Sequence, residues 1–365
     1  MPPYTMEDED PCFVNTNMVD ETHGKPIFCV SFNYFDKNHA DLFASVGGNR
    51  ASIYRCKPGG EIEVVQVYVD EDPDEEYYAC KWTVNEATSS PILLLAGKKG
   101  VMRVVDCGET KLLETMVGHG HCINDIAVFQ RSPSLVLTAS KDESLRLWNI
   151  RTKVCVVIVA GEGGHTAEVL AVDCHLNGDR FLSCGMDNCV KIWSLKSFRD
   201  VIEESHKWDA STAKVNFKTK HSYYPTFSSS WIHGNYVDCV RWYGDLVLSK
   251  SVDHRIVMWH QEDIPKNDWE TGSKFVILME FAISCADIWF IRFSLDFSFR
   301  LLACGNRTGK VYLWDMGESP LKEPLRLASK ECKSVVRQTA ISSDGSIVLA
   351  SCEDSTIWRW DRVVK

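Results

Sequence analysis

The chain has 365 residues, of which 45% are hydrophobic and 25% are charged, so it is long enough to bury a large core. Its formal net charge of −10 at pH 7 argues against a general nucleic-acid surface and favours a cationic partner, such as a basic peptide tail. We therefore expect no direct sequence-specific nucleic acid binding.

The 15 cysteines are scattered singly, without a C-x-x-C pair, and many of them fall in predicted strands. We interpret them as small core residues in a reducing compartment, and we expect no metal site, disulfide framework or cofactor. No apolar run is long enough to span a membrane, and no signal peptide is recognisable. The sequence therefore predicts a nuclear or cytosolic protein without a membrane partner.

The chain begins with an N-terminal segment, residues 1–22, in which we expect a strand that completes the last repeat and closes a ring. Residues 23–365 divide into seven blocks, each with three apolar strands and a turn before the third. The third strand of each block ends at tryptophan or a substitute, and these seven positions are 43 to 66 residues apart: Tyr54, Val105, Trp148, Trp193, Trp259, Trp314 and Trp360. This period predicts an all-β fold, a seven-bladed WD-repeat β-propeller.

The clearest block runs from residue 117 to residue 150. It opens with a Gly-His pair at His119, continues through Ser140 and Asp142, and ends at Trp148. We expect a buried histidine to bond the aspartate and the serine hydroxyl, with the tryptophan N–H as a further donor, so that the turn is tied to the loop before the first strand. The next block repeats the pattern with three residues: His165, Asp187 and Trp193.

One gap between repeats is long because it contains an insertion at about 195–232, which is rich in Lys, His and aromatic residues. Its aromatic residues include Phe198, Trp208, Tyr223 and Tyr224. The structural interpretation is a long outer strand with a surface loop. The functional one, which we favour because so many exposed aromatics would otherwise be a liability, is an arm that binds a partner.

Alignment of the seven predicted first strands places one residue of each near the mouth of the channel. In chain order these residues are Phe28, Tyr78, Asn124, Leu170, Asp238, Trp289 and Arg337. Blades six, seven, one and two are neighbours in a closed ring, so three aromatic residues should converge in one sector, with Phe290 beside them. We call Phe28, Tyr78, Trp289 and Phe290 the aromatic cluster.

Several ring faces around one point suit a quaternary or methylated ammonium, because the faces are negative and such a cation is weakly hydrated. The acidic run at residues 70–76 precedes Tyr78 and would attract a basic peptide, and Arg337 could bond peptide carbonyls. Each feature alone has a plainer explanation: aromatic residues on strands are usually core, and an acidic run is usually a solvated loop. The shared frame in neighbouring blades favours the binding site.

The sequences of several segments resemble one family, and this resemblance is far more specific than the general pattern of WD repeats. These segments include FASVGGNRASIY, VDEDPDEEYYACKW, VGHGHCIND, SKDESLRLWNI, NYVDCVRWYGDLVLSKSVD, DIWFIRFSLDF and CEDSTIWRWD. Over residues 23–363 the chain resembles the WD-repeat subunit of Polycomb repressive complex 2, the extra sex combs / embryonic ectoderm development / fertilization-independent endosperm family. The segments GGNR, SKSVD and DIWFI are most similar to the plant-type members.

The resemblance implies a non-catalytic nuclear subunit that scaffolds and stimulates a SET-domain histone methyltransferase alongside other Polycomb subunits. It also implies that the subunit binds a trimethylated histone tail and contributes to transcriptional repression. The family's trimethyl-lysine cage corresponds to the aromatic cluster, with Phe290 where animal members have tyrosine, and Arg337 corresponds to an arginine beside the peptide.

A rival hypothesis is a substrate-recruiting WD-repeat adaptor of a ubiquitin ligase or a signalling scaffold. Such an adaptor would favour a basic rim for phosphopeptides, whereas this rim offers one arginine, several aromatic rings and an acidic neighbour. An enzyme is the weakest hypothesis, because the aligned positions are mostly apolar rings without converging acids, bases or metal ligands.

Overall fold

The protein is a seven-bladed β-propeller, which confirms the predicted fold class. A computed structural model describes residues 12–262, 274–318 and 320–363. Within these residues the strands form seven sheets, six with four strands and one with five. Each sheet is one blade. Residues 1–11 of the N-terminal segment lie outside the described residues.

The first described element, β1, spans Cys12–Asp20. Blade one consists of β2 (Ile27–Phe32), β3 (Leu42–Gly47), β4 (Arg50–Cys56) and β5 (Ile62–Val69), with short 3₁₀ turns at Lys37–His39 and Pro58–Gly60. Blade two consists of β6 (Tyr77–Val84), β7 (Pro91–Gly97), β8 (Val101–Asp106) and β9 (Lys111–Val117).

Blade three consists of β10 (Ile123–Val128), β11 (Leu135–Ser140), β12 (Leu145–Asn149) and β13 (Val154–Val159). The first three strands of blade four are β14 (Val169–Cys174), β15 (Arg180–Gly185) and β16 (Val190–Ser194).

The insertion at 195–232 contains a 3₁₀ turn (Lys196–Phe198), helix α1 (Arg199–Lys207) and two short strands, β17 (Lys220–Ser222) and β18 (Phe227–Ser229). Strand β17 pairs in parallel with β13 and so extends blade three, whereas β18 pairs with β16 and completes blade four. The structural interpretation as a long outer strand is therefore wrong. The outer strand of blade four has three residues, because most of the insertion folds against blade three instead.

Blade five consists of β19 (Val237–Tyr243), β20 (Leu246–Ser251), β21 (Arg255–Gln261) and β22 (Phe275–Ala282). Blade six consists of β23 (Phe293–Leu295), β24 (Leu301–Gly305), β25 (Val311–Asp315) and β26 (Leu325–Leu327). Blade seven consists of β27 (Val336–Ile341), β28 (Ile347–Cys352), β29 (Thr356–Val363) and the N-terminal β1.

The ring closes where the two ends of the chain meet. Strand β1 pairs antiparallel with β29, from Cys12 opposite Val363 to Asp20 opposite Thr356, and supplies the fourth strand of blade seven. The inner strand β2 of blade one also contacts the inner strand β27 of blade seven. A closed ring of sheets leaves no inner edge exposed to another chain.

The turn between the second and third strands has one residue in the same unusual backbone conformation in every blade. Each contains one residue with φ near +60° to +80°, and these residues are Gly48, Gly100, Glu143, Asn188, His254, Gly309 and Ser355. In blades three, four, five and seven the residue is preceded by aspartate, whose carboxylate accepts backbone N–H groups of the turn in blades three, four and seven. Asp and Asn stabilise such turns through these local hydrogen bonds.

The core consists of seven apolar clusters, one at each boundary between neighbouring blades. The third-strand residue of each blade lies in the cluster shared with the preceding blade. Trp193 of blade four packs between blades three and four, for example, and Trp259 packs between blades four and five. The residue at this position, an indole in blades three to seven, therefore joins each blade to the one before it by burying apolar area that neither sheet could bury alone.

Candidate functional site

Three aromatic rings from three blades meet at the end of the channel where the first strands begin. The ring centroids of Phe28 and Tyr78 are 5.3 Å apart, and those of Phe28 and Phe290 are 5.2 Å apart. The Tyr78 and Phe290 centroids are 6.2 Å apart. The ring planes cross at 70° to 90°, so the three rings form a corner and not a stack.

Trp289 adds a fourth ring at the solvent side of this corner. Its ring centroid lies 5.6 Å from that of Phe290, nearly perpendicular to it, and 42% of the residue is exposed. Phe290 itself is buried. The structure thus brings together all four residues of the aromatic cluster, with Trp289 as the wall that remains accessible.

The blade-six alignment that located Trp289 is wrong in register. We placed Trp289 at the start of the first strand, but β23 begins only at Phe293. From the pairing of β23 with β24 and of β24 with Trp314, Ile291 occupies the position that Phe28 holds in blade one. The physical reason is that Phe290 has φ +63°, which no strand residue adopts, so residues 288–292 follow an irregular path that carries both rings to the channel mouth.

Arg337 lies beside the cluster and its guanidinium is already engaged. Nη1 donates to the carbonyl oxygen of Trp289 at 2.9 Å, and Nη2 pairs with Glu353 at 3.2 Å. The guanidinium carbon also lies 5.8 Å from the centroid of the Phe28 ring. The geometry therefore shows Arg337 supporting Trp289, while the contact with a peptide carbonyl stays a prediction.

The acidic run before Tyr78 is only partly a solvated loop. Asp70 is buried, where its carboxylate accepts hydrogen bonds from Tyr77 and from Arg103 at 2.8 Å. Glu75 is also buried, and Lys99 pairs with Asp72. The carboxylates that remain exposed are those of Glu71 and Asp74. Fewer charges than the sequence suggests are therefore available to attract a basic peptide.

A hydrogen-bond chain links the turn of blade three to the loop before its first strand. Trp148 Nε1 donates to Thr138 Oγ1 at 2.9 Å, and Thr138 Oγ1 is 2.7 Å from His119 Nε2. His119 Nδ1 is 2.9 Å from Asp142 Oδ2. These contacts fit a neutral His119 that donates from Nδ1 to Asp142 and accepts from the Thr138 hydroxyl at Nε2.

The expected role of Ser140 in this chain is wrong. The hydroxyl between histidine and tryptophan belongs to Thr138, two residues earlier, whereas Ser140 Oγ donates to the carbonyl oxygen of Cys122 at 2.9 Å. Residues two apart on a strand point to the same face, so the alternation of the strand does not distinguish them. Only their positions along the strand distinguish the two residues, since Thr138 and not Ser140 lies level with His119 and Trp148.

Blades four and five contain the same chain. In blade four it runs through Trp193, Ser183, His165 and Asp187. In blade five it runs through Trp259, Ser249, His233 and Asp253. We did not identify His233 from the sequence, because glycine follows that histidine instead of preceding it. The Asp-to-Trp spacing of six residues was the signal that could have located it.

Charge and burial set the protonation of these chains. Burial lowers the pKa of His119 and of His165 below 6.5, which keeps both rings neutral at pH 7. Burial also raises the pKa of Asp142, but hydrogen bonds from His119, Ser144 and the N–H of Gly120 outweigh burial and hold the pKa of that carboxyl well below its usual range. These groups are thus structural.

The aromatic residues of the insertion separate into two groups. Phe198 packs on the apolar cluster between blades three and four, and Trp208 meets the ring of Phe217 edge-on at 5.3 Å. Tyr223 and Tyr224 are exposed. Binding of a partner by this arm stays a prediction, and it now concerns the two tyrosines and Trp231, which is 87% exposed.

Among the described residues, no group of three or more His, Cys, Asp or Glu side chains is placed to hold a metal ion. In that same part of the chain no helix has the length and apolarity needed to cross a membrane.

The comparisons with known proteins agree with this architecture. The family model of the WD domain, G-beta repeat, matches residues 110–149, 156–194 and 326–361. The Polycomb group protein FIE2 of Zea mays is 48% identical to this chain over 344 residues, which are 94% of this chain and 89% of the maize protein. The chain belongs to the FIE/esc family of Polycomb group proteins.

The resemblance to plant-type members of the FIE/esc family is confirmed. The Polycomb protein esc of Drosophila melanogaster is 39% identical, over 94% of this chain and 83% of the fly protein, which is less than the identity to the maize protein. A chain in the crystal structure of the Chaetomium thermophilum polycomb repressive complex 2 has the same fold, with a TM-score of 0.80 and 23% identity. That alignment covers 97% of this chain and 98% of the other.

Proposed function

We propose that this protein is a non-catalytic subunit of a Polycomb-type histone methyltransferase complex and that the aromatic cluster binds a trimethylated lysine of a histone tail. Membership of the FIE/esc family supports the first part. The observation that carries the second part is the convergence of Phe28, Tyr78 and Phe290 from three different blades, with the exposed ring of Trp289 beside them.

The chemistry of the cluster suits this ligand. A trimethylammonium group is weakly hydrated and keeps its positive charge, so it gains from ring faces without losing strong hydrogen bonds to water. Each ring contributes about 0.5–2 kcal/mol. Three or four rings, less the cost of ordering the peptide, correspond to a dissociation constant between about 1 mM and 10 µM.

Charge near the cluster favours a basic peptide. The exposed carboxylates of Glu71 and Asp74 precede Tyr78 in the chain, and the protein as a whole carries a net charge of −10. Such a field raises the encounter rate of a Lys- and Arg-rich tail, and salt screens it. Recognition of the methyl groups themselves would depend on the rings and not on this field.

The partners that follow from this function are a SET-domain histone methyltransferase, the other Polycomb subunits and a trimethylated histone tail, all in the nucleus. Occupation of the aromatic cluster would stimulate the methyltransferase by a binding free energy shared between two faces of the propeller. The protein would thus contribute recognition and scaffolding to transcriptional repression, while catalysis belongs to its partner.

Calorimetric titration with one histone-tail peptide, unmodified and trimethylated at lysine, tests the function. We expect the wild-type protein to prefer the trimethylated peptide and Trp289→Ala to lose that preference. Trp231→Ala is a matched control, because Trp231 is a tryptophan with 87% exposure that lies outside the aromatic cluster. This control variant should retain the wild-type preference.

Equal binding of both peptides by the wild-type protein would show that the aromatic cluster is only blade packing.

The proposed methyltransferase partner is tested by a separate experiment, in which tagged protein should capture a SET-domain methyltransferase from nuclear extract. Capture of a ubiquitin-ligase adaptor, without the methyltransferase, would contradict the proposed complex.

A further inference from the structure

We propose that Arg292 is a positioning residue of the aromatic cluster, which holds the ring of Phe290 from below and ties it to the opposite wall of the channel. This inference rests on the trimethyl-lysine function proposed above, since it concerns the same rings. Arg292 follows Phe290 by two residues, and its guanidinium carbon lies 4.3 Å from the centroid of the Phe290 ring. The side chain is fully buried.

The guanidinium group of Arg292 reaches across the channel from blade six to blades three and four. Nη1 pairs with Asp125 Oδ1 at 3.0 Å, and Nη2 donates to the carbonyl oxygens of Asn124 and Leu170 at 2.8 Å each. Three acceptors on the far wall therefore hold one planar group in one orientation. Arginine is suited to this task, because its fork is rigid and its flat face stacks on an aromatic ring.

Phe290 needs such support because its backbone is strained. A φ of +63° is unfavourable for a large side chain and costs about 1–3 kcal/mol, so it persists only where neighbouring groups determine it. Strand pairing does not do so, since β23 begins at Phe293. Other groups hold this segment: Arg337 donates to the carbonyl of Trp289, and the N–H of Arg292 donates to the carbonyl of Arg337 at 2.8 Å. The Phe290 ring itself contacts the rings of Phe28 and Tyr78 and the guanidinium of Arg292.

The positive charge of Arg292 repels a cationic ligand, so the direction in which peptide affinity changes can separate a charge effect from a positioning effect. If Arg292 acted on the site only through its charge, its removal would strengthen binding of a trimethylammonium group on the other side of the Phe290 ring. If Arg292 positions the ring, its removal weakens binding. When the charge of Asp125 is removed together with that of Arg292, the net charge is unchanged, so a charge effect alone predicts little change in the dissociation constant, whereas loss of positioning still predicts a rise.

The test variant is Arg292→Met combined with Asp125→Asn, which removes both charges of the pair. Arg241, which lies 3.7 Å from Asp125 Oδ2, keeps its hydrogen bonds to the carbonyl oxygens of Val172 and Val240. We expect the dissociation constant of the trimethylated peptide to rise about three- to thirtyfold, the value of one ring in the cluster. Phe290→Leu should show a similar loss. Phe290→Leu added to the double variant should cause no further loss of affinity. Arg292 acts through the Phe290 ring, so the two changes remove the same contribution and their effects do not add. Unchanged or tighter binding by the double variant, or fully additive losses, would overturn the inference.

Two further measurements separate this inference from its premises. If the double variant does not fold, Arg292→Lys replaces it, because lysine keeps the charge beside Asp125 but cannot stack flat or hold both carbonyls. Binding of the trimethylated peptide as tight as in the wild type would then refute positioning.

Fluorine NMR of protein labelled with fluorophenylalanine needs no ligand. The resonance that Phe290→Leu removes should shift or broaden in the Arg292 variant, while that of Phe43 in the core stays unchanged. If the wild-type protein shows no preference for trimethyl-lysine, the proposed function fails, and an undisturbed Phe290 resonance would refute positioning independently.

Discussion

Arg337 donates a hydrogen bond from Nη1 to the carbonyl oxygen of Trp289, across 2.9 Å and between blades seven and six. Its Nη2 pairs with Glu353, and the same guanidinium lies near the Phe28 ring of blade one. One side chain therefore links three blades at the aromatic cluster. Trp289, the exposed ring, depends on that link for its place, because no strand holds it.

Arg337→Lys should weaken binding of the trimethylated peptide while leaving the fold intact. A lysine ammonium cannot donate to the Trp289 carbonyl and pair with Glu353 in the same fork geometry. We expect the dissociation constant to rise about three- to tenfold, part of the 1.5–3 kcal/mol of a hydrogen bond from a charged donor. The measurement is calorimetric titration. Arg131→Lys, at an exposed arginine beyond the other end of an inner strand, is the control and should bind as wild type does.

Thr138→Val should destabilise the protein by about 1–3 kcal/mol, because His119 Nε2 and Trp148 Nε1 both lose their only hydroxyl partner in a buried site. Ser140→Ala should cost less, since the carbonyl of Cys122 keeps its hydrogen bond from the N–H of Lys141. Urea unfolding measures both free energies. A larger loss for Ser140→Ala than for Thr138→Val would show that the hydrogen-bond chain is not the stabilising element.

Stability should fall as the pH is lowered from about 7 to about 5. Burial depresses the pKa of His119 and His165 below 6.5 in the folded protein, so the unfolded chain binds more protons in this range. The neutral rings stabilise the fold above pH 6.5, and this contribution is lost as the pH falls. The free energy of unfolding, measured by urea titration at a series of pH values, should show the decline.

The slope of that decline identifies its source. His165→Gln should reduce the slope, because it removes one group that must remain neutral in the folded state. His221→Gln, at an exposed histidine of the insertion, should leave the slope at the wild-type value. Equal slopes in all three proteins would assign the pH dependence to other groups.

Deletion of residues 1–20 should lower the thermal stability and promote self-association. The deletion removes β1 and leaves the edge of β29 unpaired, and it also removes the hydrogen bond from Asn17 Nδ2 to the carbonyl of Gly60 in blade one. Thermal unfolding and size-exclusion chromatography report the two effects. Deletion of residues 1–11 keeps β1 and is the matched control, which should unfold at the wild-type temperature.

Much of the aromatic cluster was predictable because Phe28 and Tyr78 hold the same position, a β-bulge at the start of the first strand that recurs in six blades. The place of this position in the repeat indicates which residue reaches the channel mouth. Trp289 and Phe290 were reached through an alignment that the structure corrects, since the positive φ of Phe290 takes this segment out of strand register. The convergence of the four rings therefore needed the three-dimensional path of residues 288–292.

The sequence by itself determined the number of blades, the large third-strand residues between them and the His–Asp pairs of blades three and four. These features are local, since each follows from spacing within one repeat. Only the tertiary structure decided that Thr138 replaces Ser140, that β17 extends blade three and that Arg292 reaches Asp125 across the channel. The last two relationships join residues far apart in the chain, and their partners are set by direction in the closed ring. The first depends on the level of Thr138 along one strand, which spacing within a repeat does not encode.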